Sequence, residues 1–580
     1  MSSTWYGNQS PVEGRNFGSL ALIAPLLERM KIAEIINQHI PADDQAEFDH
    51  GALLSLLVAA RMYSPVALTG VAAWAAESGA DILWNIPPQK LNDDRLGRSL
   101  DAFFTQRHSI LASVALHVAR EFDVPLRDVH YDPTHILLRG AYDAAQPRDP
   151  VVADSVTRSD HTLAPAHIAP GRATADAPLG ALMIHAGLCT HVDEFGPLPF
   201  FGHTTDGNQN GHTAVAEQLA LLRKHLSLPE LTMISDRGTF SVGHLLRLGD
   251  AGGHAICSAP WDEFRTRFDE HRASFVWKKA SYLSLEQQRR RAAASDLPKE
   301  HYQLAVLRHE LSDSESQRTI SCRVVFVFST ADQKVVRKQR QKQIDKLREG
   351  LQQIQQSVAA GRRSTDSESV ARRVAKLFGS KDAARYFHWE LEPLSAAERA
   401  RLPAPSRGCK RAKHRFVFRF DETAKQHDEQ YDGYSVLVTT VPQQQASADA
   451  LFTKFKQQCY SEQVNGEFKG PLAVHPVFLH TPARVEALVF LMMITLELYY
   501  LLQRLYRQSV PAKASAKERR TTTETILRAF NSYVLLIHQT RLGREVQPTQ
   551  LTTRQREILS RLGFATPAQL LSRRLPHAPT

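Results

Sequence analysis

In the stretch FKQQCYSEQVNGEFK, Phe455, Gln458, Glu462 and Lys469 stand three, four and seven residues apart. At 3.6 residues per turn that spacing brings all four near one face of a helix, so a carboxylate and an amine project together. Two aspartates lie upstream in informative settings. Asp132 is flanked by apolar residues in VHYDPTHILL, and Asp236 follows a short strand-like run in LTMISDRGTF. Three carboxylates carried by separate elements are the ligand set that a two-metal phosphoryl-transfer site uses.

Each acid also has an ordinary reading. An Asp before Arg-Gly commonly caps a turn, and Gly238 suits a tight backbone there. Pro133 follows Asp132 and cannot donate to a sheet ladder, so either a bulge follows the aspartate or the strand is paired on one side there. Asp128 and Asp143 are the alternative ligands if the register differs. Glu467, five residues after Glu462, faces elsewhere on the same helix. Competing chemistry is missing: there is no GxxxxGK[ST] loop, no HExxH and no GxSxG. His185, His191, His203 and His212 match no zinc spacing.

The elements that must position these residues can be read in order. Residues 1–120 carry apolar residues at helical spacing, as in LALIAPLLERM and HGALLSLLVAARMY, and form an expected helical DNA-binding or assembly domain. Asn92 or Asp93 is placed to cap one of its helices. Residues 121–260 alternate short apolar runs with two helical patterns and form the first part of a mixed α/β core. Residues 261–432 read as an insertion of charged helices and isolated strands, including the basic RKQRQKQIDKLREGLQQIQQSV and the cluster RGCKRAKHR. These two either meet phosphates or form a solvated surface. Residues 433–510 return to the core with the acidic helix, and residues 511–580 form a C-terminal helical region and tail.

Bulk properties bound the function. Lysine and arginine outnumber aspartate and glutamate by 71 to 61, for a net charge of +10 and a pI near 9.3, which favours a polyanionic partner. The five cysteines form no CxxC pair and fit reduced thiols, hence a cytoplasmic setting. Met1 to Arg15 has no apolar run of the secretory kind. Val485 to Leu502 is the most apolar stretch, but Glu486 and Glu497 interrupt it, so a buried core helix is expected rather than a membrane span.

The order of an Asp on an early strand, Asp-Arg-Gly after a later strand and Glu on a late helix resembles the DDE transposases of bacterial insertion sequences. The late helix is similar to that group's Y-(2)-R-(3)-E-(6)-K signature, with Phe455 and Gln458 in place of Tyr and Arg. HGALLSLLVAARMYSP, LNDDRLGRSLD, GHTTDGNQNGHT, DGYSVLVTT and EFKGPLAVHPVFLHTPARVEALVFLMMI resemble the same branch, so the likeness runs in patches from about residue 16 to 510.

The resemblance implies an RNase H-like catalytic fold with an insertion before the last acidic helix. The separations fit, with 236 − 132 = 104 residues between the aspartates and 462 − 236 = 226 from there to the glutamate. It implies Asp132, Asp236 and Glu462 as catalytic ligands of two Mg²⁺ or Mn²⁺ ions, and Lys469, Gln458 and Arg237 as DNA contacts. The implied reaction is cleavage at element ends followed by strand transfer. Its substrates are terminal inverted repeats and target DNA, handled by a homodimer or larger synaptic assembly at the bacterial nucleoid. The changes at the Tyr and Arg positions leave a catalytically silent DNA-binding relative open. A metal-dependent nuclease without joining activity shares the same acids.

Overall fold

The computed structural model describes residues 12–142, 164–171, 178, 180–209, 211–226, 231–284, 287–288, 300–361, 366–402, 411–470, 472, 479–540 and 543–574. After a short strand, β1 (Val12–Arg15), the chain to residue 121 is helical, as its periodicity predicts. The helix His50–Tyr63 is capped by Asp49, which accepts from the Ala52 amide, and it ends at Ser64, just before Pro65. Asn92, rather than Asp93, caps the helix Asp93–Phe104 by accepting from the Arg95 amide.

The strands that follow are β2 (Asp128–Leu137), β3 (Ala169–Pro170), β4 (Leu182–Asp193), β5 (Gly196–Asp206), β6 (Thr232–Ser235) and β7 (His254–Ala259). Then come β8 (Lys278–Lys279), β9 (Tyr302–Ser312), β10 (Thr319–Ser329), β11 (Phe387–Pro393), β12 (His414–Phe420) and β13 (Tyr434–Thr439). One large mixed sheet runs β5-β4-β2-β6-β7-β13-β10-β9-β8, and β3 shares the outer edge of β4 with β5. Strands β5, β4 and β2 pair antiparallel, whereas β2, β6 and β7 pair parallel. The chain is therefore a mixed α/β protein built around one large sheet.

Two boundaries differ from the sequence reading. The span 261–432 is not wholly an insertion, because β8, β9 and β10 extend the central sheet and β13 slots between β7 and β10. What stands apart is the helix Thr330–Ala359, the helix Ser367–Phe378 and the ribbon β11–β12, which enclose a core of their own around Leu347, Leu351, Val374 and Phe416. The C-terminal region is not purely helical either. Strands β14 (Leu535–Thr540) and β15 (Gly543–Pro548) form a hairpin, and β1 pairs with β14, joining the two ends of the chain in a three-stranded sheet. The expected helix in TTRQREILSRLGF is present as Thr553–Leu562. The last residues, LPHAPT, lie outside the described residues.

A single hydrophobic core spans the amino-terminal helices, the sheet and the C-terminal region, holding Leu22, Leu57, Val129, Phe201, Leu491, Ile537 and Leu559 together. Its axis is the helix Pro482–Ser509, which packs on β5 and on the helices Asp93–Phe104 and His50–Tyr63. That helix is long and apolar enough to cross a bilayer by length and composition, and its whole apolar window is enclosed by protein. Glu486 in its first turns is buried against Arg107, Nε to Oε1 2.6 Å, and its second oxygen accepts from the Ala166 amide at 2.6 Å. Removing two charges from water is costly unless they are paired and hydrogen-bonded, and here both carboxylate oxygens are used. This ion pair ties the helical region to the core, so the two are not independent lobes.

Candidate active site

Strand register places the aspartates. Parallel pairing of β2 with β6 runs from Asp128↔Thr232 to Tyr131↔Ser235 and stops there. Asp132 and Asp236 are the next residues after the last parallel pair, side by side where that pairing ends; Asp132 stays in the ladder with β4, whereas Asp236 turns out of the sheet. The C-terminal end of a parallel pair is where open α/β sheets present ligand-binding groups. Pairing of β2 with β4 continues without a break through Pro133↔Gly187 to Leu137↔Met183. Of the two accounts of Pro133, one-sided pairing therefore holds: past Tyr131 the β6 side is open, and a residue without an amide donor is tolerated.

Asp236 turns the chain. Its carboxylate accepts from the Gly238 amide at 2.9 Å, and the Thr239 hydroxyl donates to its backbone oxygen at 2.9 Å, closing the short 3-10 turn Arg237–Thr239. It caps a turn, as the ordinary reading holds, and it also remains exposed beside Asp132, with Arg237 exposed next to it. The two readings coincide.

The third acid arrives on the helix Gln458–Lys469, which lies across β2, β4 and β5. Its docking is made by side chains. Asn465, one turn after Glu462, donates from Nδ2 to Asp132 Oδ2 at 2.9 Å. Gln458 donates from Nε2 to the Tyr131 carbonyl at 3.4 Å and bonds through Oε1 to His130 Nδ1 at 3.1 Å. Burial pushes His130 down to about 4, so it is neutral at pH 7, and with the Gln458 amide nitrogen occupied it must be the imidazole that donates. Just upstream of the helix, Lys454 Nζ meets Asp128 Oδ2 at 2.6 Å.

The electrostatics bring the three acids into one neighbourhood. Asp132 is pushed up to about 7, first by burial and then by the negative charges of Asp236 and Glu462; the Asn465 hydrogen bond and the Lys469 charge oppose the rise. Asp132 is half-buried, while Asp236 and Glu462 are exposed. Among the described residues no three His, Cys, Asp or Glu side chains close to metal-holding geometry, so the carboxylates share a surface without converging on one point. As a donor set they fit a hard divalent cation: all are carboxylate oxygens, and their mutual repulsion is what such a charge relieves.

The other expected residues divide. Lys469, two turns after Glu462, lies within reach of the Asp132 charge, and Arg237 flanks Asp236. Gln458, expected at a DNA surface, instead points inward to His130 and Tyr131, so its role here is to dock the helix. Phe455 packs into small apolar clusters beside the helix. Asp128, the alternative ligand, pairs with Lys454 through Oδ2; Asp143 lies outside the described residues. Glu467 is half-buried, pushed up by burial and by the charge of Glu524, which sets it on another side of the helix. His203 pairs with the buried Glu217 at 2.8 Å and His185 with the Gly207 carbonyl at 3.1 Å, so both are structural.

Sequence reasoning missed Asn465 and His130. Asn465 was legible in principle, since it lies three residues from Glu462 on the same face. His130 was legible as the residue two before Asp132, hence on the same side of β2.

A family model described as a domain of unknown function (DUF4277) matches residues 12–116. The match covers the helical region and ends before Asp132, so it assigns no role to the acids. No curated protein matches the chain.

Proposed function

We propose that this protein is a DNA transposase of the insertion-element kind, cutting at element ends and transferring the freed strand to target DNA by two-metal phosphoryl transfer. The observation that carries the reading is the placement of Asp132 and Asp236 side by side past the last β2–β6 pair, with the Glu462 charge in reach of Asp132. The order β5-β4-β2-β6-β7, three strands antiparallel and then two parallel, supports an RNase H-like core, with the strands past β7 as an elaboration.

Asp132, Asp236 and Glu462 would hold Mg²⁺ or Mn²⁺, which when bound supplies the charge that activates the attacking oxygen and stabilises the leaving one. The chain does the rest. Asn465 fixes one oxygen of Asp132, and the Gly238 amide fixes one oxygen of Asp236, so each aspartate presents its remaining lone pairs in a set direction. Lys469 and Arg237 bring positive charge to either side of the acids, where a phosphodiester would lie. The docking of Gln458 on His130 sets the height of the helix and with it the place of Glu462. The substrates on this reading are the terminal inverted repeats and target DNA, held by a homodimer or larger assembly.

The test is a Mg²⁺-dependent cleavage and joining assay on element ends with flanking DNA, comparing wild type with Asp132→Asn, Asp236→Asn and Glu462→Gln. Wild type is expected to cut and join, and each variant to bind DNA while losing about 10²-fold or more in rate, the scale on which removing one transition-state stabilising group acts. Full activity in any one variant removes that residue from the ligand set. Cleavage without joined products leaves a nuclease, and binding without any reaction leaves the silent relative.

A further inference from the structure

The two ends of the main sheet are treated differently. At one end β5 is buried along its whole length. Near the other, β9 is covered by β8 only at Gln303 and Leu304. The chain leading into β8 has already turned under the sheet, where Phe275 and Trp277 pack on Phe268. From Ala305 to Ser312 the outer edge of β9 pairs with no strand among the described residues, although its inner edge is joined to β10 without a break.

An open edge of this length is a template for another strand, and edges that stay single are blunted by proline, a bulge or repelling charge. Between Ala305 and Ser312 there is no proline and no bulge, and the charges are one arginine and one glutamate. The Ala280 amide donates to the Tyr302 carbonyl at 2.9 Å, so the even-numbered residues of β9 turn their backbone groups outward. Their side chains, Val306, Arg308, Glu310 and Ser312, make one exposed face, while Leu307 and Leu311 pack toward the core on the other. Arg308 donates to Gln443 at 3.2 Å, and neither it nor Glu310 makes an ion pair among the described residues.

This edge is complementary to itself. Two copies of β9 laid antiparallel about His309 set Arg308 opposite Glu310 twice on the outer face and Leu307 opposite Leu311 twice on the inner one. A slip of two residues sets Arg308 against Arg308 or Glu310 against Glu310, and a slip of one exchanges the faces. Burial, Arg267 and His271 push His309 below its ordinary value, so the two rings on the axis meet uncharged at pH 7. The lengths agree as well. In this register the second copy would reach β8, opposite Leu304, two residues after Ser312, and β9 ends at Ser312, where the turn Asp313–Arg318 begins. That turn brings Glu315 toward Lys278 and Lys279, and none of these three makes an ion pair among the described residues.

We infer that this protein forms a two-fold dimer in solution by joining the main sheets of two copies edge to edge through β9, from Val306 to Ser312, with about eight backbone hydrogen bonds between them. The inference goes beyond the phosphoryl-transfer reading and does not rest on it.

The experiment is sedimentation velocity of the full-length protein over a range of concentrations, without DNA and in chelator. Wild type is compared with Arg308→Glu, with Glu310→Arg and with the exchange Arg308→Glu/Glu310→Arg, all at exposed side chains. Each single change turns two attracting pairs into two repelling ones, so its dimer Kd should rise about 30-fold, whereas the exchange should stay within about 3-fold of wild type. An equimolar mixture of the two single variants should recover the dimer, because the doubly acidic edge of one meets the doubly basic edge of the other. The inference is overturned if wild type is a monomer throughout, if the single variants dimerise as wild type does, or if the mixture fails to recover the dimer. Each of those results leaves the phosphoryl-transfer reading standing, since the measurement involves neither DNA nor metal.

Discussion

Replacing Asp132 with asparagine should stabilise the metal-free protein while abolishing its reaction. In the folded chain Asp132 is pushed up to about 7 from an ordinary 3.8. Below about pH 4 folded and unfolded chains both hold the proton, and the group contributes nothing. Between about pH 4 and 7 the folded state keeps a proton that the unfolded state has lost, so stability falls as pH rises, and above about 7 the penalty is complete. Three pKa units correspond to an upper bound of about 4 kcal/mol. Water reaches the half-buried carboxylate and screens its neighbours, leaving about 1–2 kcal/mol as the expected penalty. The asparagine carbonyl can still accept from Asn465, so the substitution removes the charge and little else. Thermal unfolding followed in chelator at pH 8 should place the variant about 1–2 °C above wild type, and the gap should close at pH 4. Added Mg²⁺ should then raise wild type and leave the variant unmoved, because only a ligand bound by the native state stabilises it. A variant less stable than wild type at pH 8, or a gap of the same size at both pH values, would refute the claim that the three carboxylates repel one another in one site.

Two further outcomes follow from the docking contacts. Gln458→Ala strands the imidazole N–H of the buried His130, costing about 1–3 kcal/mol; the strand-transfer rate should drop at unchanged DNA affinity, and a fall in affinity with an unchanged rate would return Gln458 to the DNA surface. Arg107→Ala leaves Glu486 as an uncompensated buried charge, at about 3–5 kcal/mol. Its denaturant midpoint should fall sharply, and a midpoint near wild type would mean that the helical region does not depend on that ion pair for its attachment.

Much of the core was legible because it is written locally. Short apolar runs bounded by Gly, Pro and Asp became β2, β4, β5, β6 and β7, and Asp132 and Asp236 could be placed because each ends or interrupts such a run. What the chain does not write locally is partnership. The run of β10 reads as a strand, but nothing in its residues says that it pairs with β9 and β13 to widen the main sheet. The same holds for β1 and β14, and for Arg107 and Glu486, which meet across 379 positions of sequence. Gln458 failed for a related reason: helical spacing fixes the face on which a residue sits, not whether that face meets solvent or a strand. Its neighbour His130 lies 328 positions away.

The three acids are held by unequal means, and that inequality indicates where the site can adjust. Asp132 and Asp236 follow directly on backbone-paired residues of adjacent strands, so their spacing is fixed by the sheet and survives changes in side chains. Glu462 is positioned through side chains of its helix: the hydrogen bonds of Asn465 with Asp132 and of Gln458 with His130, the Lys454–Asp128 pair just before it, and Val464 and Phe468 buried in the main core. Nothing bonds the Glu462 carboxylate itself to either aspartate, consistent with three acids that share a surface without closing on one point. A cation bound between them would draw the helix toward the sheet, whereas the backbone ladder leaves the aspartates little room to move. The adjustable member of the trio is therefore the glutamate. Substitutions at Gln458 should act by displacing Glu462, and they should be partly rescued by raised Mg²⁺, whereas Asp236→Asn should not. Equal rescue of both would mean that the helix is as rigidly placed as the strands.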